Sequence, residues 1–139
     1  MKSLFLSLAF SLFSSSLVGQ TPIGVNRLSD LVFPVQVQGF AVTSVVAPNT
    51  PGAALFSISG QPNQTLKCKT VSNNVNMMTS GGSSNPYKIR VNAFLINGCT
   101  QIGPTGFLNN VSIGATAQIT VSNVEGDYNA TNTLRVVYH

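Results

Sequence analysis

Charge is what this sequence has least of. Only 7% of its 139 residues are Asp, Glu, Lys or Arg, against roughly 25% in average soluble proteins. The acids are Asp30, Glu125 and Asp127, the one histidine is His139 at the end of the chain, and tryptophan is absent. A carboxylate-pair hydrolase needs two acids in one cleft, and only Glu125 and Asp127 are close in sequence. A nucleophile–His–acid site needs a held histidine, and a terminal one is poorly held. A structural zinc site takes about four Cys, His or carboxylate ligands, nearly the whole stock here. There is no GxGxxG for a dinucleotide and no CxxC for redox exchange. These shortages argue against an enzyme, and no cofactor or metal is expected.

Long hydrophobic runs are also missing, with one short exception. Leu4 to Phe13 reads LFLSLAFSLF, follows Lys2, and gives way to Ser14, Ser15 and Ser16 and then Gly19. A basic start, a short apolar run and a small residue at the cut describe a signal peptide over 1–19. A membrane span wants about 20 apolar residues, so none is expected in the chain that remains. Export is the expected route. In an oxidising compartment the two cysteines, Cys68 and Cys99, are expected to pair.

The rest of the chain has no helical period. Val, Ile, Thr, Ser, Asn and Gly dominate, and turn clusters recur at short intervals. Strands are expected over 31–38, 40–46, 53–59, 65–71, 87–96, 116–122 and 127–139. Residues 72–86 read as a polar loop, and Asn97-Gly98 as a two-residue hairpin. Alternation places Ala54, Phe56 and Ile58 inward, then Tyr87, Ile89, Val91, Ala93 and Leu95, then Ala117, Ile119 and Val121. The last strand turns Tyr128, Ala130, Leu134, Val136 and Tyr138 inward, with Asn132 breaking the stripe. Short strands with one apolar face each predict an all-β, immunoglobulin-like sandwich of two sheets over 29–139. Lys67, Lys69, Lys88 and Arg90 point outward and would form one basic patch if their strands were neighbours. No aromatics interleave with them, so nucleic acid is not an expected partner. The turn around Glu125 and Asp127 is a plain turn before a cation site.

The final strand is Pro-free and nearly uncharged, which suits a central position or another chain better than a bare edge. Leu134, Val136 and the penultimate Tyr138 alternate before the end, and Gly126 is the fourteenth residue from it. This arrangement resembles the C-terminal signature of chaperone–usher fimbrial subunits. The stretch from Ala53 to Asn63, then Val111-Ser112-Ile113-Gly114-Ala115, then Gly126-Asp127-Tyr128 is similar to a family of secreted bacterial β-domains known as domain of unknown function 4402. The fimbrial resemblance implies a sandwich short of one strand, completed by a neighbour. It implies a structural subunit of a pilus or fimbria on the bacterial cell surface, handled in the periplasm by a chaperone and an usher. Residues 20–28 are then the candidate donor strand, through Ile23 and Val25, although the segment is short and Pro22 precedes it. The alternative is a secreted or surface-attached binding module, adhesin-like, that works as a monomer through loops 72–86 or 97–110.

Overall fold

A computed structural model describes residues 3–14 and 21–139. Among the described residues the chain is all-β, with one 3-10 turn at Asn85–Tyr87. The strands are β1 (Ser3–Ser14), β2 (Gly24–Ser29), β3 (Leu31–Val37), β4 (Val42–Val46), β5 (Ala54–Ser59), β6 (Leu66–Thr70), β7 (Val75–Met78), β8 (Lys88–Asn97), β9 (Phe107–Ile119) and β10 (Gly126–Tyr138). They follow one hydrogen-bonded path, β2-β5-β9-β8-β7-β10-β1-β3, with β4 also on β9 and β6 also on β10. The sheet is nearly closed into a barrel. The hydrogen bonds therefore do not draw the two separate sheets expected from alternation. Alternation tells which side of a strand is buried. It does not tell whether the buried sides belong to one curled sheet or to two.

The expected inward positions hold where strands run unbroken. Ala54, Phe56 and Ile58 are fully buried, as are Ile89, Val91 and Ala117. Two strands differ from the expected pattern. In β8 the pairing with β9 shifts between Asn92 and Leu95, and Ala93 takes φ 53°. This irregularity reverses the inward phase. Phe94 and Ile96 pack on the core, while Ala93 is exposed and Leu95 is 60% exposed. In β10 Asn132 does not break the stripe but joins it. It is buried because the backbone of Ser72 satisfies it: Nδ2 donates to Ser72 O at 3.0 Å, and Oδ1 accepts from Ser72 N at 3.2 Å. A buried amide is tolerated when its partners are supplied in this way. Val121, expected inward, lies past the end of β9 and is exposed.

The region expected to be a polar loop contains β7, whose Met77 is fully buried. Asn97-Gly98 does not form a two-residue hairpin. The chain leaves β8 and passes beside β6, where Leu66 N donates to Thr100 O at 2.8 Å, before returning as β9. Cys68 and Cys99 are bonded across that excursion, 31 residues apart in sequence and 6.2 Å apart at Cα.

Candidate functional site

The site is the place taken by β1, between the last strand and β3. β1 runs parallel to β10 in unbroken register, from Leu4 opposite Gly126 to Ser14 opposite Val136. Its other edge runs antiparallel to β3, from Ser3 opposite Val37 to Leu8 opposite Leu31. Farther along, Arg27 of β2 donates from Nη1 to Phe10 O at 3.0 Å, and its Nε stands 3.3 Å from Asp30 Oδ1. The seat is therefore walled by β10 on one side and by β3 and β2 on the other.

Alternation decides what β1 sends inside. Leu4, Leu6, Leu8 and Phe10 are all buried to 1% exposure or less, while Ser7 between them is exposed. The ring of Phe10 packs nearly perpendicular to Phe56 on β5, at 5.8 Å between centroids, and to Phe94 on β8, at 6.1 Å. That bridges the two halves of the core. Burying one large apolar side chain stabilises by about 1.5–3 kcal/mol. Four of them come to roughly 6–12 kcal/mol, the same size as the net stability of an ordinary domain, about 5–15 kcal/mol. β1 is thus a structural strand in energetic terms.

The terminal strand matches its expected sidedness. Leu134 and Val136 are fully buried. Leu134 stands opposite Leu12 of β1 and Thr70 of β6, and Val136 opposite Ser14 and Cys68. At Gly126 the backbone takes φ 155°, and an added Cβ would collide with Thr79 Oγ1. A side chain there is excluded on both counts. Tyr138 lies one step beyond the parallel register with β1, paired with Leu66. Its hydroxyl accepts from Gln61 N at 2.8 Å and donates to Thr21 O. Its anchorage is at the neck of the domain, where residue 21 enters.

The segment read as a donor strand is in its own domain. β2 pairs antiparallel with β5, from Gly24 opposite Ser59 to Ser29 opposite Leu55. Ile23 is 5% exposed, Val25 packs on the core, and Thr21 Oγ1 donates to Gln61 Oε1 at 2.9 Å. The reason is that β5 has β9 on one edge and would leave the other bare, an arrangement sheets avoid. Pro22 stands before the strand and removes no ladder bond. The expected cleavage position at Gly19, and Gln20 after it, lie outside the described residues.

The basic residues form two places instead of one patch. β6 lies on β10, which puts Lys67 and Lys69 beside Arg135 and Val137. β8 lies between β7 and β9. Lys88 and Arg90 there join Asn76, Asn92, Gln118 and Thr120 around a depression of about 660 Å³. Arg90 is engaged within it, donating from Nη2 to Asn74 Oδ1 at 2.8 Å. Glu125 and Asp127 are exposed beside Gly126, and no cluster of three or more metal-ligating side chains occurs among the described residues. No helix among them is long and apolar enough to cross a membrane.

The chemistry missed from sequence is that of Leu4, Leu6, Leu8 and Phe10. The signal was present, because the apolar run alternates with Ser7, Ala9 and Ser11 at the period of a half-buried strand.

No curated protein matches the chain. The family described as domain of unknown function, DUF4402, matches residues 35–138, from within β3 to the end of β10, and the chain belongs to that family.

Proposed function

We propose that this chain is a structural subunit of a bacterial surface fibre, joined to its neighbour by strand donation. On this reading residues 1–19 are removed on export, and the seat between β10 and β3 is left open. A neighbour's strand then takes the place of β1. The observation that carries the reading is the seat itself: β10 accepts a whole strand in parallel register, together with four buried apolar side chains. Main-chain pairing would supply affinity and the pockets would supply register. An open seat exposes apolar surface and unpaired backbone, both costly in water. A periplasmic chaperone and an usher fit this requirement as transient partners. The disulfide Cys68–Cys99, beside β10, suits an exported location. The experiment is electron microscopy, with an antibody to residues 20–139, of material sheared from the producing cells. Labelled filaments are expected. Label confined to soluble monomer contradicts the reading.

A second reading, an adhesin-like module acting as a monomer, is favoured by the depression around Lys88 and Arg90, whose amide and hydroxyl lining suits a sugar. Glycan-array binding that Arg90→Ala abolishes, by a chain indifferent to any added strand, would select it.

A further inference from the structure

The seat also carries information about which strand fills it. Counting along β1, the inward positions are Leu4, Leu6, Leu8 and Phe10. The fourth differs from the first three, because it is the one flanked by the rings of Phe56 and Phe94. A replacement strand in the same register meets three aliphatic pockets and then an aromatic one. Residues 21–29 of a second copy do not meet that pattern. In one phase they offer Thr21, Ile23, Val25 and Arg27, which puts a guanidinium in the aromatic pocket. In the other they offer Pro22, Gly24, Asn26 and Leu28, with one large apolar side chain in four. They are also engaged already: β2 is paired with β5, Ile23 is buried, and Tyr138 and Gln61 hold Thr21. Withdrawing them would bare the edge of β5. Of the other strands, β4 to β10 each keep a ladder partner within residues 21–139. β3, whose ladder partner is β1, is held to its own domain by Val32 N donating to Gly52 O at 2.7 Å and by the buried Leu31 and Phe33.

We propose that this subunit receives a strand without giving residues 21–29 in return. Its partner in the seat is a segment of a different chain, with apolar side chains at three alternate positions and an aromatic one at the fourth. The inference rests on the strand-donation reading above and deepens it. A receiver that does not donate ends a fibre instead of extending it, so the copy-to-copy polymer expected from an ordinary shaft subunit does not form.

The experiment uses residues 20–139 with the disulfide formed, and three synthetic peptides made soluble by a terminal lysine tail. They are residues 3–14, the same peptide with Phe10→Ala, and residues 20–29. Binding is read by fluorescence anisotropy and assembly by native mass. The first peptide is expected to bind and give a one-to-one complex with no higher species. Phe10→Ala should bind at least about tenfold more weakly, because the aromatic pocket is left empty. The 20–29 peptide should not compete. Should residues 20–139 not stay soluble alone, a specific protease site placed within 15–20 of the full chain lets β1 be cut free after folding. Exchange of the cut strand for labelled peptide then gives the same comparison. Competition by the 20–29 peptide, or a ladder of oligomers that disappears on deleting 20–28, overturns the proposal while leaving strand donation intact. A complete monomer indifferent to the 3–14 peptide overturns the strand-donation reading itself.

Discussion

β9 and β10 are the two longest strands, 13 residues each, and each is central in the sheet. They reach that position differently. β9 has β4 and then β5 along one edge and β8 along the other, all from within residues 42–97. β10 has β7 and β6 along one edge, but its other edge is covered by β1, from the opposite end of the sequence. The ladder partners of β9 all come from one stretch of the chain, and β1 reaches that side through the ring of Phe10 against Phe56 and Phe94. The core around β10 depends on β1, which on the proposed reading is removed on export and replaced by a neighbour's strand. Length and apolar alternation are alike in the two strands, so what distinguishes them is the origin of the neighbour.

Removing β1 should separate the two halves most sharply. Residues 20–139 are expected to lose roughly 6–12 kcal/mol relative to the full chain, from the four buried side chains, and to recover stability with the 3–14 peptide. Urea unfolding of the two chains, with and without peptide, measures this. Next come single core truncations on either side. Phe10→Ala in the full chain and Ile113→Ala on β9 should each cost about 2–5 kcal/mol. The Ile113→Ala cost should persist in the peptide-free 20–139 chain, whereas a 3–14 peptide carrying Phe10→Ala should restore that chain less than the unaltered peptide. Equal restoration by the two peptides would erase the distinction.

The disulfide ties the β10 side to the excursion between β8 and β9. Reducing Cys68–Cys99 should lower stability by about 3–4 kcal/mol in the chain-entropy picture for a 31-residue loop. The difference in melting temperature with and without reductant reads it. Tyr138→Phe removes the two hydrogen bonds at the neck, to Gln61 N and Thr21 O. At about 0.5–1.5 kcal/mol per bond, the loss is about 1–3 kcal/mol, with local fraying at residues 21–23 detectable by proteolysis.

The smallest effect is at high pH. Burial raises the Tyr128 phenol above its ordinary 10.0. The hydroxyl donates to Val124 O at 2.7 Å and Pro86 O at 3.0 Å, which needs the proton. A raised folded pKa means that this contribution is fully present below pH 10 and is lost as pH rises through the folded value. A fall in melting temperature above pH 10 that Tyr128→Phe reduces is the expected pattern.

Much of this contrast was legible in the sequence, though unevenly. Strict alternation located the buried faces of β5 and β6 and the sidedness of β10, down to Leu134 and Val136. β7 is hidden because polar residues bracket its four positions, and a strand that short, with Met77 buried and Val75 partly so, has almost no period to read. β8 was read in the right place with the wrong phase beyond Asn92, since a shift in pairing leaves no composition signal. Asn132 looked like an interruption because its partner, the backbone of Ser72, is distant in sequence. The seat of β1 was half visible. The terminal strand calls for a companion, but in the segment that fits it the composition of a targeting peptide masks the alternation. Residues 20–28 look like a candidate donor strand in sequence because β5's need for an edge partner is a tertiary fact.

Amide hydrogen exchange on residues 20–139, with and without the 3–14 peptide, tests most directly whether the central position of β10 depends on a strand from outside residues 20–139. Without peptide, the amides of β10 and β3 should lose protection well before those of β9, and adding peptide should bring β10 level with β9. Protection of β10 equal to that of β9 in the peptide-free chain would contradict it.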